Sequence, residues 1–270
     1  MSQSDTTLSI PFNPRDPAFI ADPYPSFHRL RLTAPIWKSP FGWWFVSRYD
    51  DAAAILRDRR MGKNYTDPEA LMRRFGPTAL SEPAVVELAQ MMLMRDPPEH
   101  TRLRGLVAKA FTAQRIEQLR DRVALLVGDL LDRVANQGHM DTIREFAYPL
   151  PVLVICELLG IPEEDRARFA SGTSSGAALL NPTPPSREEL DAANAGTNAT
   201  GAYFEALFEQ RRRTPQDDLI TMLVQAEEAG DRLTTAELRA NVALLFAAGH
   251  ETTVSAPGDR QGVCGASPLR

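Results

Sequence analysis

The stretch Asn241-Val242-Ala243-Leu244-Leu245-Phe246-Ala247-Ala248-Gly249-His250-Glu251-Thr252-Thr253-Val254 decides the fold, because a plain apolar helix ends there on a histidine, an acid and two alcohols. Thr234 followed by Glu237 has the spacing of a capping box and sets the helix start. From Asn241 to Ala248 the sequence is apolar almost all round, as in a helix that runs through the centre of a fold. At about 100° per residue Ala248 and Thr252 share one face, with Leu245 and Asn241 beneath them and Glu251 about 60° to the side. Gly249 costs about 1 kcal/mol relative to alanine in a helix interior, and a threonine bonded back to the carbonyl four residues earlier bends the axis. Together they predict a local kink with room for something flat to approach the backbone. A core helix with a polar end is the simpler reading of the same residues. A zinc-protease reading fails, because His250-Glu251 needs a second histidine at position 254, which is Val254.

Outward from this helix the signals stay mostly helical. Residues 35–38 and 43–46, with Pro40 and Gly42 between them, predict a small hairpin followed by a short helix over 49–57. Helical spacing marks 83–94, the segment after Asp96, 115–135, 149–159, 162–171, 187–212, 215–229 and 235–254. The expected fold class is mainly α with a small β-sheet. The Pro-rich connection 180–186 reads as a stiff surface loop or as a lid over a pocket.

Composition narrows the function classes. A chain of 270 residues, 43% hydrophobic and 24% charged, can bury a sizeable core and has an ordinary globular make-up. A net charge of −5 leaves no electrostatic footprint for nucleic acid, and Arg211-Arg212-Arg213 reads as a solvated helix end. The longest apolar run is well short of the roughly 20 residues of a membrane span, and residues 1–7 are polar rather than signal-like. A cytoplasmic protein with no membrane or nucleic-acid partner is therefore expected. Cys156 and Cys264 make no disulfide framework and fit no zinc spacing, so no metal site is expected from them.

A second motif, Asp96-Pro97-Pro98-Glu99-His100-Thr101-Arg102-Leu103-Arg104, predicts a helix start with Asp96 as N-cap, Pro97 at the first position and Glu99 at the third. Leu103, Leu106, Val107 and Ala110 then form one apolar stripe. His100 and Arg104 lie together at its edge near Phe111, with Arg102 and Lys109 on the far, solvated side. Two donors at that spacing beside apolar surface call for an anion, and a carboxylate suits both. An internal Glu or Asp and a bound ligand both satisfy the requirement.

These two motifs, 96–104 and Ala248-Gly249-His250-Glu251-Thr252-Thr253, resemble the soluble bacterial cytochrome P450 family. The resemblance extends in order through Asp22-Pro23-Tyr24-Pro25 with Leu30-Arg31, Trp44-Phe45-Val46-Ser47-Arg48-Tyr49-Asp50, Val154-Ile155-Cys156-Glu157-Leu158-Leu159-Gly160-Ile161-Pro162 and Asp217-Asp218-Leu219-Ile220. It covers residues 11–254. It implies a haem-thiolate monooxygenase that hydroxylates or epoxidises a small apolar molecule with dioxygen and electrons from a ferredoxin-type donor. It further implies that His100 and Arg104 contact haem propionates, that Ala248 and Gly249 lie over the haem face, and that Glu251 and Thr252 are the catalytic acid and alcohol that deliver protons. By the same resemblance residues 180–186 belong to a mobile substrate-access region and 64–81 to part of the substrate pocket.

After Val254 the resemblance stops. The family's Glu-x-x-Arg pair and glycine-rich cysteine loop are not found in residues 255–270, where Cys264 sits in Gln261-Gly262-Val263-Cys264-Gly265 without the expected surroundings. Residues 1–254 therefore read as the N-terminal part of one truncated P450-like domain, and 255–270 as a disordered or out-of-frame tail carrying a free thiol. Two readings follow. One is a monooxygenase gene product that lacks its axial cysteine and is inactive alone; the other is a non-catalytic remnant or helper that binds a partner without haem. Either leaves Leu244, Leu245 and Phe246 partly uncovered. Cys156 reads as a small buried hydrophobe.

Overall fold

The computed structural model describes residues 15–39, 43–63, 65–111, 113–170, 179–181, 183–228 and 233–265, without the side chains of 113–115, 167, 168, 170, 227, 228, 250–252 and 254–265. Two compact units divide the chain, one of Met1–Gly62 with Leu180–Pro185, the other of Lys63–Leu179 with Ser186–Arg270. The observed class is the expected one, mainly helical with one small sheet.

In the first unit, helix α1 (Pro17–Ala21) starts on Asp16, whose carboxylate accepts the Ala18 N–H at 2.9 Å, and α2 (Tyr24–Thr33) follows. Strands β1 (Ile36–Lys38) and β2 (Trp44–Val46) pair antiparallel with Trp37 opposite Phe45, their rings 5.6 Å apart. That cross-strand aromatic pair is the packing contact that favours this hairpin. Helix α3 (Tyr49–Arg57) comes next. The Pro-rich connection is held within this unit, where Arg15 donates to the Pro184 carbonyl at 3.0 Å and to Thr183 Oγ1 at 3.3 Å.

The second unit carries two apolar clusters. Helices α4 (Pro68–Phe75) and α5 (Pro83–Gln90) each open with a proline at the first position, and they bury Leu71, Phe75, Val85 and Leu88 with Leu190 in the smaller cluster. The larger cluster gathers α6 (Glu99–Ala110), α8 (Pro149–Leu159), α9 (Glu163–Ala170), α10 (Arg187–Arg213), α11 (Leu219–Glu228) and α12 (Thr235–Gly265). Helix α7 (Ala113–Val134) packs on α8. Leu103, Leu106, Val107 and Ala110 are all buried, as the stripe predicted. Phe169 sits between Phe204 and Phe246, with ring centroids 5.9 and 5.0 Å away. The expected capping box of Thr234 with Glu237 forms on α12, and the structure adds one that was not expected, Ser186 with Glu189 on α10.

Several expectations are corrected. Helix α5 ends at Gln90 rather than 94, because Met91 is extended and residues Met92–Met94 form a separate 3-10 turn. Helix α11 starts at Leu219, where the Asp218 carboxylate accepts the Thr221 N–H at 2.7 Å and supplies the cap. Arg211 is not a solvated helix end. It is buried, pairs with Asp218 at 2.5 Å and donates to the Gly160 carbonyl at 2.6 Å. Leu244 and Phe246 are buried, since α12 packs against α8, α5 and the π-helical segment Thr142–Ala147; only Leu245 is half-buried. The helix does not stop at Val254 but continues to Gly265; the side chain of Cys264 lies outside the described residues. Among the described residues no helix is long and apolar enough to cross a membrane.

Candidate functional site

The site is built on two helices of the second unit, α6 and α12. Helix α6 begins at Glu99, after a cis peptide between Pro97 and Pro98, and not at Pro97. Asp96 is therefore not its N-cap. The Asp96 carboxylate accepts the Lys63 N–H at 2.9 Å, while its carbonyl accepts the His100 N–H at 3.0 Å. One turn on, His100 is half-buried and Arg104 exposed, and among the described residues neither side chain has a hydrogen-bond or ion-pair partner. The internal carboxylate that the pair was open to is not among the described contacts.

Arg102, expected on the solvated side, is instead drawn into an ionic cluster. It pairs with Glu99 at 2.9 Å and with Glu237 of α12. Burial pushes the Glu237 carboxyl up, but hydrogen bonds from the Thr234 N–H and from Arg102 outweigh it and hold it below the ordinary carboxylate value. One turn further along α12, Asn241 is fully buried. Its Oδ1 accepts the Met92 N–H at 2.9 Å and its Nδ2 donates to the Glu237 carbonyl at 2.7 Å. A helical wheel identifies the face of Arg102 but not the partner arriving from 135 residues away. The signal available in the sequence was Glu99 three residues before it.

Farther along α12, Ala247, Ala248 and Gly249 are exposed within a helix whose preceding turns are buried. A side chain at Gly249 would come within 3.1 Å of Ile155 Cδ1, so this glycine lets α12 approach α8 closely. The expected back-bonding threonine is seen at Thr253, whose hydroxyl donates to the Gly249 carbonyl at 3.1 Å. The side chains of Glu251 and Thr252 lie outside the described residues, although the helical backbone runs through both.

Haem would find part of its surroundings here. Two donors without a partner among the described residues, His100 and Arg104, suit its carboxylates, and exposed small residues leave a helix face open to a flat ring. For an axial ligand the described residues offer nothing: Cys156 is fully buried, and burial pushes its thiol up to about 12. Among the described residues no group of three or more His, Cys, Asp or Glu could hold a metal ion.

A scan against protein-family models finds no match. Whole-chain comparison does. Cytochrome P450 107B1 of Saccharopolyspora erythraea is 39% identical over 249 residues, which is 90% of this chain and 59% of that protein. The cytochrome P450 monooxygenase PikC of Streptomyces venezuelae is 40% identical over 244 residues, 88% of this chain and 55% of that one. Among solved structures, P450BioI in complex with a hexadec-9Z-enoic acid ligated acyl carrier protein superposes with a TM-score of 0.76 at 33% identity, covering 92% of this chain and 66% of that chain. The myxobacterial cytochrome P450 CYP267B1 in complex with myristic acid gives 0.75 at 36% identity, covering 93% and 64%. The chain thus spans about three-fifths of the length of the relatives it matches. With the paired motifs on α6 and α12, the shared fold and this identity, the chain belongs to the bacterial cytochrome P450 family, of which it represents an N-terminal portion.

Proposed function

We propose that this chain supplies the propionate-binding and oxygen-activating elements of a haem-thiolate monooxygenase acting on a small apolar molecule, with electrons from a ferredoxin-type donor. The observation that supports this best is the pair His100 and Arg104, donors one turn apart on α6 with no hydrogen-bond or ion-pair partner among the described residues. His100 and Arg104 would hold the two carboxylates of haem as charge-assisted hydrogen bonds, orienting the ring against Ala248 and Gly249. Haem, when bound, supplies the activation of dioxygen. Glu251 and Thr252 would hold and move protons, the hydroxyl holding a water and the carboxylate exchanging protons with solvent. Two similar structures hold fatty acyl ligands, which favours an apolar substrate for this chain as well.

The reading extends to an inactive form. The axial thiolate is not among the described residues, and the sequence after Val254 carries no Glu-x-x-Arg pair, so this chain by itself is proposed to be inactive. Residues 255–270 are proposed to be foreign to the family. Adding haemin and then reducing under carbon monoxide tests this reading. A thiolate-type Soret band would overturn the inactivity; no haemin uptake at all would favour a helper or remnant that works without haem.

A further inference from the structure

Helices α6 and α12 meet through a small polar cluster that the reading above does not use. Met92 and Arg102 lie either side of the turn that leads into α6, and α12 holds both. Asn241 takes the Met92 N–H at 2.9 Å, and Glu237, one turn earlier, takes Arg102. The two acceptors are themselves tied, since the Asn241 Nδ2 donates to the Glu237 carbonyl at 2.7 Å. Glu237 is fixed in turn by its capping box, where its Oε2 accepts the Thr234 N–H at 2.8 Å. Arg102 stands two residues from His100 and two from Arg104, so whatever holds α6 at Arg102 also places the backbone that carries both donors.

We propose that Arg102, Glu237 and Asn241 are positioning residues, a clamp that sets His100 and Arg104 in register with the segment of α12 around Ala248. The proposal rests on the haem reading. The physical ground is that the Arg102 guanidinium is held from two sides, by Glu99 of its own helix and by Glu237 of α12, and that Glu237 is itself fixed by its capping box, so the contact joins two ordered points. Asn241 adds a second point of attachment, which resists rotation about the first. Groups that orient ligand-binding side chains in this way typically change affinity by about 10-fold to 100-fold when removed.

The test uses the full chain with Arg102→Met, Asn241→Leu and the conservative Arg102→Lys. Hydrogen exchange on the haem-free protein is read first. The clamp requires that Arg102→Met speed exchange at the Met92 amide, which it does not touch, and that Asn241→Leu speed exchange in the first two turns of α6. Changes confined to the groups that lose a bond would overturn it. Haemin titration is read second, with the urea midpoint measured alongside. Arg102→Met should weaken haemin binding about tenfold and Arg102→Lys, which keeps the charge, should recover part of that loss. A lowered midpoint with unchanged haemin affinity would make the cluster a plain structural ion pair. If the unmodified chain takes up no haemin, the haem reading fails and hydrogen exchange alone decides the clamp.

Discussion

Gly160→Ala should be among the most damaging small substitutions in the molecule. Gly160 closes α8 in a left-handed conformation, φ 73°, with the Ile161 N–H reaching back to the Cys156 carbonyl at 2.8 Å. A methyl group there would stand 2.1 Å from Asp218 Oδ2 and 2.4 Å from its Cβ. Neither can yield easily, because Asp218 is buried, paired with Arg211 at 2.5 Å and bonded to the Thr221 N–H at 2.7 Å. The left-handed backbone costs a non-glycine residue about 1 kcal/mol. Displacing one partner of a buried ion pair costs about 3–5 kcal/mol. The sum, about 4–6 kcal/mol, is a large part of the 5–15 kcal/mol typical of whole domains. Urea unfolding followed by circular dichroism measures it, with Gly128→Ala as control, since nothing lies within 4 Å of a methyl group there. The control should stabilise α7 by up to about 1 kcal/mol. A loss in Gly160→Ala of no more than about 1 kcal/mol, the backbone share alone, would refute the close approach of Asp218.

Other outcomes test the charge and thiol assignments. Hydrogen bonds from Arg187, Thr78 and Asn194 hold Glu82 down to about 2 from 4.5, so the unfolded chain binds the extra proton between those values. The contribution is present above pH 4.5 and lost as pH falls through about 2; the stability gap between the natural chain and Glu82→Gln should be constant near neutrality and close across that window. A gap unchanged at pH 2.5 would show that Glu82 is not held by these donors. Cys156, with its thiol pushed up to about 12, should resist iodoacetamide at pH 8 until urea unfolds the chain. Peptide mapping reads this, and rapid native labelling of Cys156 would contradict its burial.

Much of this was legible because helical periodicity reports burial directly. The stripe on α6, the hairpin of 35–46, the Thr234–Glu237 capping box and the family motifs follow from local spacing. What was not legible depends on partners distant in sequence. Arg211 looks like one of three solvated arginines until Asp218 and the Gly160 carbonyl close on it, and Arg102 looks solvated until Glu237 arrives. Asp96 has the residue type of an N-cap, but a backbone N–H from Lys63 claims its carboxylate. Gly249 also lets α12 approach α8, since a side chain there would begin 3.1 Å from Ile155 Cδ1, a closeness that no local pattern announces. Polar patterning alone does not tell a buried acceptor from solvent, because both satisfy a donor.

The haem reading stands most directly on His100 and Arg104. Haemin titration of the natural chain against a His100→Leu/Arg104→Leu variant, read at the Soret band with urea midpoints measured in parallel, isolates their contribution. Saturable uptake that weakens at least about tenfold in the variant, with little change in midpoint, is the expected result, since two charge-assisted bonds of about 1.5–3 kcal/mol each would be lost. Equal affinity in both proteins would contradict it.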